Sequence, residues 1–79
     1  MGNNLNKPLK VGATIGIIGG GQLGRMLVMS GKKMGFQMIV LDPTLNSPAG
    51  QVADRQIVAA FDQTSALTEL AELCDVITY

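Results

Sequence analysis

The sequence predicts an α/β fold in which a parallel sheet of about four strands carries helices on its faces. Short β-branched apolar runs alternate with segments whose apolar residues recur every three or four positions. A glycine cluster, residues 19–21, ends the first run, and an Asp-Pro pair, Asp42 and Pro43, ends the second. Such an alternation is typical of doubly wound parallel sheets with right-handed helical crossovers.

The predicted elements follow in the order strand, helix, strand, strand, helix, strand, as in half of a Rossmann fold. The strands are expected at residues 14–18, 37–42, 56–60 and 75–79, and the helices at residues 22–34 and from residue 62 or 64 to residue 74. The apolar residues of the first helix recur at spacings of three and four: Leu23, Met26, Leu27 and Met34. This face is therefore expected to pack on the sheet.

The length of 79 residues allows one small domain at most. Residues 1–13 are mostly polar and show no periodicity, so they are predicted to form a flexible N-terminal arm. Residues 14–79 are predicted to form the Rossmann-like domain.

Composition and charge exclude several classes of function. Six scattered basic residues balance six acidic ones, which argues against a nucleic-acid partner or an anionic membrane surface. No apolar run has a membrane-spanning length, the N-terminus lacks a signal-peptide pattern and Cys74 is the one cysteine, so we expect a soluble cytoplasmic protein. Without histidine or an acidic cluster of suitable spacing, the chain is predicted to hold neither catalytic residues nor a metal.

The glycine cluster carries the main functional pattern. Gly19-x-Gly21-x-x-Gly24 has the spacing of a dinucleotide-binding loop, in which glycines allow a tight turn, close ligand approach and helix–strand packing. A helix beginning near Gln22 would direct its free N–H groups towards an anion or a polar sugar. A turn without a ligand is the other interpretation, but it would not need the additional Gly20, so ligand contact is favoured.

Two polar residues near this loop allow more than one interpretation. Asp42 ends the second strand, where a carboxylate can accept hydrogen bonds from a sugar, and it can equally cap an Asp-Pro turn. Gln22 can hydrogen-bond a ligand or face water, and the ligand is slightly favoured.

Several strings of residues resemble those of a known enzyme family. They are Ile17-Ile-Gly-Gly-Gly-Gln-Leu-Gly-Arg-Met26, Leu41-Asp-Pro43, Pro48-Ala49, Val52-Ala-Asp54 and Cys74-Asp-Val-Ile-Thr-Tyr79. They resemble the N-terminal domain of the N5-carboxyaminoimidazole ribonucleotide synthetases, also called phosphoribosylaminoimidazole carboxylase ATPase subunits, of the ATP-grasp superfamily. The resemblance covers residues 14–79 and implies a pre-ATP-grasp domain that is truncated at its C-terminal end.

The resemblance also implies a function. These ligases use ATP and bicarbonate to carboxylate 5-aminoimidazole ribonucleotide to N5-carboxyaminoimidazole ribonucleotide in de novo purine biosynthesis. ATP and Mg²⁺ are expected outside this chain, and the chain alone is expected to be inactive. The expected substrate-binding residues are Gly19, Gly20, Gly21, Gln22, Leu23, Gly24 and Asp42. A homodimer is implied for the full-length enzyme.

Other functions remain open at this point. One is a regulatory module that binds NAD or another dinucleotide, for which Asp42 is correctly placed. Another is a truncated domain with a purely structural role, whose fourth strand pairs with a neighbour. Within the superfamily, formate-dependent ribonucleotide transformylases and biotin carboxylases have a similar domain, but the Gln-Leu-Gly-Arg-Met string and the Asp-Pro loop favour the synthetases.

Overall fold

A computed structural model describes residues 12–78 of the chain. The described part contains four strands, β1 (Thr14–Ile18), β2 (Gln37–Asp42), β3 (Arg55–Val58) and β4 (Val76–Thr78), and two helices, α1 (Gln22–Lys33) and α2 (Thr64–Leu73). Most of the predicted N-terminal arm, residues 1–11, lies outside the described residues, so the boundary at residue 13 stays a prediction.

The four strands form one parallel sheet in the order β3-β2-β1-β4. In the centre of the sheet, Ile17 is opposite Val40 of β2 on one side and Thr78 of β4 on the other. Since β4 lies beside β1, the prediction of a parallel α/β sheet in the half-Rossmann order is confirmed. The third strand begins one residue earlier than predicted and ends at Val58.

Strand β2 is buried on both faces, because each helix covers one side of the sheet. One core cluster packs under α2 and consists of Ile39, Leu41, Ile57, Ala59, Ala66 and Leu70. The other packs under α1 and consists of Ile17, Val28, Met38, Val40 and Ala49. Alternate residues of β2 therefore contribute to opposite cores, as the two-residue period of a strand requires.

The prediction that the large apolar residues of α1 pack on the sheet is wrong. Leu23, Met26 and Met34 are 71%, 65% and 66% exposed, and Leu27 is also exposed. The buried residues of α1 are instead Gly24, Val28 and Gly31. The two glycines allow the helix backbone to lie close to the sheet; a Cβ on Gly31 would collide with Met38. A pattern based on large apolar residues missed this face because glycine contributes no hydrophobic signal.

Cys74 is half-buried against the α2 core. Burial raises the pKa of its thiol, and the neighbouring Asp75 carboxylate raises this pKa further. The thiol is therefore protonated near neutral pH and is a poor nucleophile.

We expect Gly16→Ala to lower the free energy of unfolding by about 2 kcal/mol, because the strand there has no room for a methyl group. A Cβ at Gly16 would lie 2.8 Å from Sγ of Cys74 and 3.1 Å from Cδ1 of Leu70. Urea denaturation of the 79-residue chain measures the loss. Cys74→Ala removes the closer neighbour, so the double variant should lose less stability than the sum of the single variants. Strictly additive losses would contradict this account.

Candidate functional site

The glycine loop connects β1 to α1 at the carboxyl edge of the sheet. Gly19 has φ +110°, a conformation that favours glycine, and its N–H donates to the carbonyl of Leu41 at 2.9 Å. Gly24, in the first turn of α1, lies against the carbonyl oxygen of Gly19, and a Cβ at this position would collide with that oxygen. These two glycines therefore provide the tight turn and the close helix–strand packing of the pattern.

Gly20 is buried on the side of the loop that faces residues 43–50. Its N–H donates to Oδ2 of Asp42 at 2.7 Å, and its carbonyl accepts a hydrogen bond from the N–H of Ala49 at 2.9 Å. A Cβ on Gly20 would approach Cβ of Ser47 to 2.9 Å and Cβ of Asp42 to 3.0 Å. Close packing therefore explains why residue 20 is a glycine, and Gly20 no longer indicates contact with a ligand.

Asp42 is 9% exposed, and its carboxylate bonds to the backbone of its own chain. Besides the bond from Gly20, Oδ1 accepts a hydrogen bond from the N–H of Thr44 at 2.8 Å. This second bond is the turn cap that was one of the two interpretations of Asp42. Asp42 thus joins the glycine loop to the end of β2, and its contact with a sugar hydroxyl stays a prediction.

The start of α1 is open to solvent and has no capping side chain. Gly21 is the N-cap residue, and the first turn contains no acidic residue. The N–H of Arg25 makes the first helical hydrogen bond, to the carbonyl of Gly21 at 2.9 Å. The N–H groups of residues 22–24 precede that bond, so they and the positive end of the helix dipole are available to a ligand.

A groove of about 320 Å³ lies next to this helix start. It is lined by Ile17, Ile18, Gly19, Gly21, Gln22, Leu23, Gly24 and Leu27. Aliphatic side chains from β1 and α1 form apolar walls, and the loop and Gln22 add polar groups. Such a mixture suits a small ligand that combines a ring with polar substituents.

The seven candidate residues fall into two groups in the structure. Gly19, Gly21, Gln22, Leu23 and Gly24 line the groove. Gly20 and Asp42 do not line the groove and bond to each other on the buried side of the loop. Gly21 has open space around it, since a Cβ there would meet no atom within 4 Å. The binding of a ligand by any of these residues stays a prediction.

Residues 43–56 contribute to the site through contacts that the sequence did not predict. Arg25 donates from Nη1 to the carbonyl of Pro48 at 2.9 Å. Ser47 is 1% exposed and lies behind Gly20. These contacts join residues more than twenty positions apart, so no local pattern could indicate them; the fully buried serine in a turn-rich loop is visible in the structure alone.

The described residues offer neither a metal site nor a membrane-spanning helix. Within residues 12–78, no group of three or more His, Cys, Asp or Glu side chains could hold a metal ion. Among the helices of this same range, neither is long and apolar enough to cross a membrane.

The parallel β-α-β unit, with an uncapped helix start beside a glycine loop, has the architecture of the Rossmann-like class of α/β domains. Comparison with known families is more specific. The chain belongs to the ribonucleotide synthetase pre-ATP-grasp domain family, whose model matches residues 12–79. This membership confirms the resemblance that the sequence showed.

Individual relatives agree with the family. The chain is 62% identical over 71 residues to the N5-carboxyaminoimidazole ribonucleotide synthase of Brucella melitensis, covering 90% of this chain and 20% of that protein. The Staphylococcus aureus synthetase complexed with ADP is 55% identical with a TM-score of 0.88, over 90% of this chain and 19% of that one. The Aspergillus clavatus synthase in complex with ADP and 5-aminoimidazole ribonucleotide is 42% identical with a TM-score of 0.76, over 85% and 18%. The chain therefore spans about a fifth of the length of these relatives.

Proposed function

We propose that this chain is the N-terminal, substrate-binding part of an ATP-dependent ligase. The ligase carboxylates 5-aminoimidazole ribonucleotide with bicarbonate and forms N5-carboxyaminoimidazole ribonucleotide in de novo purine biosynthesis. The observation that carries the proposal is the uncapped start of α1, whose N–H groups at residues 22–24 lie beside the groove. Support comes from the similarity to a synthase crystallised with that ribonucleotide.

In this proposal the chain orients the ribonucleotide and does not itself react. Gly21 allows the ligand to approach the backbone, because it has open space where other residues carry a Cβ. The exposed amide of Gln22 is placed to hydrogen-bond the ring or the sugar, and Leu23 adds an apolar contact. A substrate amine held in one orientation reacts faster with a short-lived carboxylating intermediate, because the entropy of alignment is already lost on binding.

The described residues offer no metal site for the Mg²⁺ that accompanies ATP. Solved relatives were complexed with ADP or ATP, so the family binds adenine nucleotides. Residues 12–78 contain no set of side chains that could hold a metal ion, and we derive no step through one. We propose that both bind to parts of the longer protein outside this chain, and that the 79 residues alone do not hydrolyse ATP. A homodimer in the cytoplasm completes the proposal.

The dinucleotide-binding alternative shares the glycine loop and the open helix start, but the bonding of Asp42 argues against it. It requires Asp42 to accept hydrogen bonds from an adenosine ribose. Both carboxylate oxygens of Asp42 already accept backbone N–H groups, and the residue is buried. We do not expect NAD to bind, and the test below measures its binding directly.

The test is ATP hydrolysis by the full-length protein encoded by the uninterrupted gene, with bicarbonate present. We expect a rate that depends on added 5-aminoimidazole ribonucleotide, and no binding of NAD in a parallel titration. The 79-residue chain, assayed in the same way, should show no hydrolysis. A full-length protein that binds NAD saturably and ignores the ribonucleotide would overturn the proposal.

We expect Gln22→Ala in the full-length protein to raise the KM for 5-aminoimidazole ribonucleotide about tenfold, which corresponds to the loss of one or two ligand hydrogen bonds. The KM for ATP should stay within twofold, because Gln22 lies at the groove of this chain. Gln37→Ala is the matched control, since Gln37 is also exposed but belongs to the start of β2. Equal effects of the two substitutions would argue against a ligand contact by Gln22.

A further inference from the structure

The side-chain amide of Gln56 on β3 makes four hydrogen bonds to the segment that follows β2. Its Nε2 donates to the carbonyl of Thr44 at 2.7 Å and to that of Asp42 at 3.3 Å. Its Oε1 accepts hydrogen bonds from the backbone N–H of Ser47 at 3.3 Å and from the Ser47 hydroxyl at 3.2 Å. Both polar atoms of this amide therefore hold residues 42–47 in one shape.

The segment that Gln56 bonds, residues 42–47, packs against Gly20 of the glycine loop. Oγ of Ser47 accepts a hydrogen bond from the N–H of Gly50 at 3.1 Å, which fixes the turn that contains Ala49. Ala49 in turn donates to the carbonyl of Gly20 at 2.9 Å. Ser47 itself lies so close to Gly20 that a Cβ there would approach Cβ of Ser47 to 2.9 Å. Gln56 is thus linked to Gly20 through the contacts of Ser47 and Ala49.

We propose that Gln56 is a positioning residue for the ribonucleotide site. Through Ser47 and Ala49 it fixes the peptide group that follows Gly20, and through Asp42, whose carboxylate accepts the N–H of Gly20, it supports the peptide group that precedes it. These two peptide groups set the direction of the N–H groups at residues 22–24. Gln56 is not among the residues that line the groove, so it acts without touching the ligand. This inference rests on the proposed function, because it assigns the role of Gln56 in binding the same substrate.

The test compares Gln56→Glu with Gln37→Glu in the full-length protein. Glutamate keeps the size of the side chain, but it places a carboxylate oxygen opposite the carbonyl of Thr44 where an N–H group donated. Gln37 is an exposed strand residue, so the same change there controls for charge and for strand position. Ser47→Ala is a second variant, which removes the hydroxyl and little volume.

We expect Gln56→Glu to raise the KM for 5-aminoimidazole ribonucleotide about tenfold, with the KM for ATP within twofold of the unsubstituted protein. Ser47→Ala should act in the same direction with a smaller factor, and Gln37→Glu should change neither constant. Amide hydrogen exchange gives a direct readout, because the N–H of Gly20 donates a hydrogen bond to Asp42. This N–H should exchange faster in Gln56→Glu but not in Gln37→Glu. A purely structural role would reduce the amount of active protein without separating the two KM values.

Two negative results have different meanings. If the unsubstituted protein shows ribonucleotide-dependent hydrolysis and Gln56→Glu matches Gln37→Glu in both KM values, the positioning role is overturned and the proposed function stands. If the unsubstituted protein shows no dependence on the ribonucleotide, the proposed function fails, and the inference about Gln56 fails with it.

Discussion

Gly24→Ala is expected to lower the free energy of unfolding of the 79-residue chain by about 3 kcal/mol, the upper range for an overpacked site. A Cβ at this position would collide with the carbonyl oxygen of Gly19, which is backbone and cannot rotate away as a side chain can. The helix would have to move away from the loop. Alanine gains about 1 kcal/mol of helix propensity over glycine, so the measured loss is the collision cost less this gain. Urea denaturation measures it.

Gly21→Ala is the matched control for this substitution. A Cβ on Gly21 meets no atom within 4 Å, and the backbone there has φ −74°, which alanine adopts freely. We expect its stability to change by less than about 0.5 kcal/mol. In the full-length protein, the added methyl group should still raise the KM for the ribonucleotide, because Gly21 lines the groove. An equal loss of stability in both variants would contradict the packing that the structure assigns to the two glycines.

Asp42→Asn should destabilise the chain by about 3 kcal/mol, since it affects two charge-assisted hydrogen bonds at a buried position. The carboxylate oxygens accept N–H groups from Gly20 and Thr44 at 2.7 and 2.8 Å. Asparagine offers one acceptor oxygen, and its NH₂ group would face the second N–H, leaving a buried donor without an acceptor. Thermal or urea unfolding measures the loss.

Asp62→Asn is the control for the change of charge, because Asp62 is an exposed residue between β3 and α2. We expect it to shift the free energy of unfolding by less than about 0.5 kcal/mol. If Asp42→Asn proved as mild as Asp62→Asn while the KM for the ribonucleotide rose strongly, Asp42 would be a ligand contact and not a connection between loop and strand.

The strands β1 and β2 were predictable to the residue because strong local signals end them. The glycine cluster begins directly after Ile18, and Pro43 cannot continue the ladder after Asp42. Strand β3 was less well bounded, because Ala59 and Ala60 continue the apolar run beyond the paired residues. The half-Rossmann order then followed from the alternation of elements, since right-handed crossovers leave few other arrangements.

The packing face of α1 and the surroundings of Gly20 could not be predicted, for one shared reason. Both depend on the absence of a side chain at a close contact, and a missing side chain has no hydrophobic or polar signal in the sequence. Gly24 and Gly31 bring α1 close to the sheet, and Gly20 makes room for Ser47. A glycine that makes room for a ligand and a glycine that makes room for a packed side chain look the same in the sequence. Only the positions of Ser47 and Asp42 in the structure show that Gly20 has the packing role.

The bonds that hold the glycine loop have a consequence for the time at which the site forms during protein synthesis. Gly20 is 22 residues from its acceptor Asp42, and the segment behind it is fixed by Gln56. A nascent chain that has emerged from the ribosome only as far as the end of β2 therefore has the glycine loop and Asp42, but it lacks the support of Ala49 and Gln56. We expect the loop to reach its final shape once β3 has been made and docked, so that the proposed ribonucleotide site forms later than the strand and helix that carry its residues.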